Sequence, residues 1–226
     1  MHKLPVLFIL LFFVVPGYAQ VNPFISLGGG YDYNLNKYYD ENNYTGFEGH
    51  SDFNAGLHLG TTLGKRIRFR TSVNYAQFTY GRNPMNEQLY ISESTMRISN
   101  INLNPMLDGC LFLSDKFNLY LYAGYRFEWV VDSYEESIVR ETGKTKDTRY
   151  IDRNYTTFNN GPLGGIILKY KAGKHLAFTF EPGFTYFLKE FYYQNDGNLQ
   201  RISANIGIEW QFLVSKPKKK TDVPAL

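Results

Sequence analysis

Three stretches of this 226-residue chain bring together side chains that could carry out chemistry. His50, Ser51 and Asp52 supply the groups of a hydrolase or acyltransferase site: a hydroxyl to attack, an imidazole to take its proton and a carboxylate to orient the ring. Neighbours in sequence rarely converge on one point, so a triad here has to borrow partners from other connections. Gly143-Lys144-Thr145 matches the end of a phosphate-binding loop, but the pattern needs a glycine where Ile138 stands. The run Gly28-Gly29-Gly30 lacks the third glycine of a dinucleotide fingerprint and opens no helix; close backbone packing is the better reading. The four His are dispersed without His-x-His or HExxH spacing, so no metal site is expected. The single Cys110 permits neither an internal disulfide nor a multi-Cys cage. No catalytic residue and no cofactor is assigned.

More informative are the charges within apolar alternation. Arg68, Arg70, Arg126, Lys169 and Arg201 fall on the polar side of period-two segments, as do Asp32, Asp108, Glu128, Glu181 and Glu209. Five cations and five carboxylates on one face predict ion pairs, because an unpaired charge away from water is costly.

The elements that must hold these charges are strands. Beyond Gln20 no window has a helical period and no apolar run is long enough to span a bilayer as a helix. Eight segments alternate, since successive side chains of a strand point to opposite faces. The fifth is the clearest: Phe117, Leu119, Leu121, Ala123, Tyr125, Phe127 and Trp129 share one face, with Asn118, Gly124, Arg126 and Glu128 on the other. Short turns are expected at 64–66, 113–116 and 171–174, and long polar connections at 36–52, 81–93, 132–154 and 189–199. That alternation of lengths is the asymmetry of outer-membrane barrels, with short turns periplasmic and long loops outside. The fold expected is an all-β, eight-stranded antiparallel up-and-down transmembrane β-barrel over 21–214, its polar face turned into the lumen. Pro105, Pro162 and Pro182 fall inside strands and cannot donate to a ladder, so bulges or kinks are expected there.

Composition agrees. Aromatic residues reach 17%, with 19 Tyr and 18 Phe, as interface belts of a membrane protein require. Tyr33, Tyr75, Trp129 and Tyr186 would form one girdle, Phe117, Tyr170 and Trp210 the other. A net charge of +3 gives no footprint for nucleic acid. Residues 1–20, with Lys3, an apolar stretch from Leu4 to Val15 and Gly17 and Ala19 before Gln20, are expected to be a cleaved signal peptide. Residues 215–226 read as a basic periplasmic tail.

The signal peptide ending Tyr18-Ala19-Gln20, the alternating strands from Phe24 onward and the closing Ile206-Gly207-Ile208-Glu209-Trp210-Gln211-Phe212 resemble the small outer-membrane β-barrel proteins, including the OmpA/OmpX-like and PorT-like groups. The resemblance is one of pattern and covers nearly the whole mature chain. It implies that Trp210 and Phe212 belong to the signal read by the barrel assembly machinery, and that outer-membrane lipid surrounds the strands. The PorT-like group implies other envelope or secretion proteins as partners. The expected function is a structural or interaction barrel in the bacterial outer membrane, with both mature termini periplasmic. Alternatives are a lipid-modifying barrel enzyme, a narrow pore and a soluble exported ligand-binding barrel.

Overall fold

A computed structural model describes residues 21–35, 38–40, 45–49, 52–64, 66–84, 91–139, 145–149, 157–189 and 199–212. These contain eleven strands: β1 (Val21–Asn34), β2 (Tyr38–Asp40), β3 (Thr45–Gly49), β4 (Asp52–Leu63), β5 (Ile67–Pro84), β6 (Ile91–Leu113), β7 (Phe117–Val139), β8 (Thr145–Arg149), β9 (Phe158–Lys171), β10 (Leu176–Tyr186) and β11 (Gln200–Gln211). Eight of them, in the order β5-β4-β1-β11-β10-β9-β7-β6, close into an antiparallel barrel when β6 pairs back to β5. Closure leaves no unpaired edge, which matters because hydrocarbon offers backbone groups no hydrogen-bond partner. The proposed signal peptide and basic tail lie outside the described residues.

The pleat sorts the side chains as the alternation predicts, and inversely to a water-soluble barrel. Leu27, Leu57, Val73, Leu107, Leu121, Ile166, Phe180 and Ile206 face outward and exposed, while Asp32, Arg68, Asn102, Asp108, Lys169, Arg201 and Glu209 are buried within. Both expected girdles are exposed on the outside. At one end Trp129 packs against Phe158 with ring centroids 5.3 Å apart, and Phe53 lies 6.3 Å from Tyr75; at the other Phe117 lies 5.0 Å from Tyr170. Phe117 and Trp129 bracket the membrane crossing of β7. Twelve steps of about 3.3 Å, tilted about 40°, lift the strand roughly 30 Å, the thickness of a hydrocarbon core.

Two expectations are corrected. Much of the long polar connections is strand rather than loop: β5 and β6 run on into 81–93, β7 continues to Val139, and β8 folds back on it within 132–154. In 36–52, β2 and β3 pair with each other, and β3 pairs with the upper end of β5. The result is an overhanging sheet, β2-β3-β5-β6-β7-β8, above one side of the barrel. Second, the prolines carry no bulge. Pairing of β6 with β7 passes from Leu103 opposite Phe127 to Met106 opposite Gly124 in unchanged register, with Pro105 between. Between β10 and β9 it passes in the same way from Phe180 opposite Leu168 to Gly183 opposite Gly165, across Pro182. Pro162 pairs with Tyr125 of β7 in regular register. At Pro105 and Pro182 the ladder breaks for two residue pairs, the local mark of the missing donor, and resumes in the same register. The register shifts lie elsewhere, at Ile91/Glu93, Ser99/Asn100 and Cys110/Phe112.

Candidate functional site

The alternation that turns apolar groups to lipid leaves the inward positions to fill a narrow lumen. All nine residues expected to pair there lie inside it and are buried: Arg68, Arg70, Asp108, Arg126, Glu128, Lys169, Glu181, Arg201 and Glu209. Near the short turns Arg68 Nη2 donates to Glu209 Oε2 at 2.6 Å, and Lys169 Nζ donates to the other Glu209 oxygen. Arg70 binds Asp108 at 3.0 Å and Glu181 at 2.5 Å, and its Nη1 lies 3.3 Å from His58 Nδ1. Asp108 stands 3.6 Å from Arg68, so the two arginines share it.

Midway, Arg126 Nε donates to Asn104 Oδ1 at 3.2 Å while its Nη1 faces Asp32 at 3.7 Å. Asn54 donates to the same carboxylate at 2.8 Å. At the long-connection end Arg201 grips Glu128 with two nitrogens, at 2.5 and 3.2 Å, and donates to Asn34 at 2.8 Å; Asn100 donates to Glu128 at 2.9 Å. A guanidinium held by both its nitrogens gains in geometry as well as in energy.

Aromatic rings cover three of the four lumen arginines, and sequence reasoning missed them. Arg68 lies over Phe24 at 4.2 Å and Tyr120 at 4.9 Å, Arg70 over Tyr122 at 4.9 Å, and Arg201 between Phe78 at 4.0 Å and Phe187 at 4.8 Å. A desolvated cation is attracted to a ring face, which here also excludes water. Tyr120 and Tyr122 belong to an inward apolar cluster with Met106, Leu163 and Ile167. Glycines make room for the rings: a methyl on Gly183 would stand 2.1 Å from Tyr122 Oη, and one on Gly60 2.3 Å from Phe24 Cζ. Such sites are where glycine lets other groups approach the backbone.

The other candidates fall largely outside the described residues. His50, Ser51, Gly143 and Lys144 lie outside the described residues, while Asp52 opens β4 opposite Asp32 and Thr145 opens β8. Among the described residues no three His, Cys, Asp or Glu group as metal ligands would. Trp210 and Phe212 are exposed at the short-turn end, where Phe212 N donates to Pro23 O at 3.1 Å.

A closed eight-stranded barrel with charge inside, apolar side chains outside and two aromatic girdles is a transmembrane β-barrel of the outer-membrane type. No family profile matches the chain, and neither does any curated relative. Solved structures to which it is similar include bacterial outer-membrane and surface proteins. Outer membrane protein OprG from Pseudomonas aeruginosa is 12% identical, with a TM-score of 0.48 over 85% of this chain and 97% of that one. Neisserial surface protein A is 11% identical, with a TM-score of 0.44 over 84% and 97%. Ail, the attachment invasion locus protein of Yersinia pestis, is 13% identical, with a TM-score of 0.41 over 84% and 98%.

Proposed function

We propose that this protein is a sealed barrel of the bacterial outer membrane that anchors an interaction surface, the overhanging sheet built on β5, β6 and β7. The carrying observation is the lumen: its ten charged groups are buried against one another and under aromatic rings, where an ion path would need them to line water. The short turns at 64–66, 114–116 and 172–175 support an orientation with that end and both mature termini in the periplasm and the overhang outside the cell. In this reading the barrel assembly machinery recognises Trp210 and Phe212, lipid covers the outward strands, and an envelope protein meets the overhang. A PorT-like contribution to secretion is one form such a partnership could take.

Recording current across a planar bilayer containing the folded protein tests the seal. The expected trace has no unitary steps, and reproducible steps of one size would refute it. Cross-linking in intact envelopes followed by affinity capture tests the partnership. The expected product is one that vanishes when the overhang is trimmed back to the girdle, and a yield unaffected by trimming would exclude the overhang as the contact.

A further inference from the structure

Asn102 is fully buried on the inner face of β6, yet neither its Nδ2 nor its Oδ1 meets a hydrogen-bonding group of the protein. Its neighbours on that face show where it stands, since residues two apart on a strand share a side. Asn100 donates to Glu128 at 2.9 Å, and Asn104 accepts from Arg126 at 3.2 Å. Asn102 therefore lies between the Arg201–Glu128 pair and the Arg126–Asp32 pair. Its partner in register on β5 is Asn74, which donates to Ser72 and leans over Gly56 instead.

Three more atoms in this part of the lumen are in the same condition. They are Asn100 Oδ1, Asp32 Oδ2 and Arg126 Nη1, the last two 3.7 Å apart and beyond hydrogen-bond reach. A buried polar group without a partner is costly, so five such atoms in one layer call for a further ligand. Two features identify it. The unmet atoms include donors, Asn102 Nδ2 and Arg126 Nη1, as well as acceptors, so the ligand must both give and take hydrogen bonds. The charges of the layer also cancel, Arg126 and Arg201 against Asp32 and Glu128, so an added ion would stand uncompensated in a buried site. Water meets both conditions.

The layer is closed along the axis. Toward the overhang, Phe78 pairs with Ile98 and Phe187 bonds Leu199, all four buried, and Arg201 lies between the two rings. Toward the short turns, Met106 and Tyr122 belong to the inward apolar cluster.

We infer that Asn102, with Asn100, Asp32 and Arg126, forms a binding site for ordered water enclosed within the lumen. Water held there bridges the two ion pairs and is cut off from both mouths of the barrel, unlike the continuous column of a pore. The enclosure rests on the sealed lumen proposed above. Unitary current across a bilayer would refute the seal, whereas in a silent barrel the site stands or falls on its own test.

That test uses the full-length protein folded in detergent micelles, with magnetic relaxation dispersion of water oxygen-17 and deuterium counting the long-lived internal molecules. Asn102→Leu keeps the size of the side chain and removes both polar atoms, and should lower the count by at least one. An equal count in variant and wild type would overturn the site. The variant is read only as protein that shifts gel mobility on boiling, a sign that the barrel has formed. A measurement on the wild type stands beside it: the side-chain amide protons of Asn102 should show direct cross-relaxation with water. Absence of that signal would overturn the site whether or not the variant folds.

Discussion

Arg201 has its donors met from several sides: Glu128 takes two, Asn34 a third, and Phe78 and Phe187 cover its faces. Because this pair is buried, removing one member differs from removing both. Arg201→Ala leaves Glu128 charged and unpaired, and should lower stability by about 3–5 kcal/mol. Arg201→Met with Glu128→Met replaces the pair by apolar groups and should recover most of that loss. Urea unfolding from lipid vesicles measures both, and a single variant as stable as the wild type would show that the pair contributes little. At this scale the sequence revealed which charges turn inward, since Arg201 and Glu128 sit on the polar side of clear alternation. It did not reveal who pairs with whom, because contacts such as Arg68 with Glu209 cross the lumen between strands 141 residues apart. The rings were hidden for a different reason. An inward Phe78 or Tyr122 contradicts the rule that apolar groups face lipid, and only a buried cation beneath it accounts for the exception.

For the strands, legibility stops at the membrane boundary. Between the girdles one face meets lipid and the other the lumen, so β7 from Phe117 to Trp129 alternates and its register can be read. Above Trp129 both faces of β7 leave that environment, the alternation fades, and Asp132–Val139 reads as a polar loop although it pairs with β6 and β8. The prolines misled for a related reason: sequence shows the missing donor but not that the register holds across the gap it leaves. The lipid-facing assignment itself can be tested on β6, where Leu107 is exposed between Phe69 and Ala123. Leu107→Arg should cost about 2–4 kcal/mol if that position lies near the bilayer midplane. Folding yield into vesicles measures the loss, and an unchanged yield would mean that Leu107 does not face lipid.

The whole molecule depends on one seam more than on any other. β1 and β11 pair from Phe24 opposite Gln211 to Asn34 opposite Arg201, which closes the ring. A chain ending before Gln200 would leave β1 and β10 with open edges on an apolar exterior. It should aggregate and give no boiling-dependent shift in gel mobility, and a normal shift would mean that closure does not need β11.

The same seam bears on the time the barrel takes to form. Hairpins such as β4–β5 and β9–β10 join residues close in sequence and can pair early, whereas Asn34 and Arg201 are 167 residues apart. Bringing such distant segments together is the slow part of building a fold rich in non-local contacts. Until that last contact is made the chain is a sheet with two sticky edges. Its rate of assembly is therefore set by how quickly the final strand finds the first, and its survival until then by whatever shields those edges in the meantime.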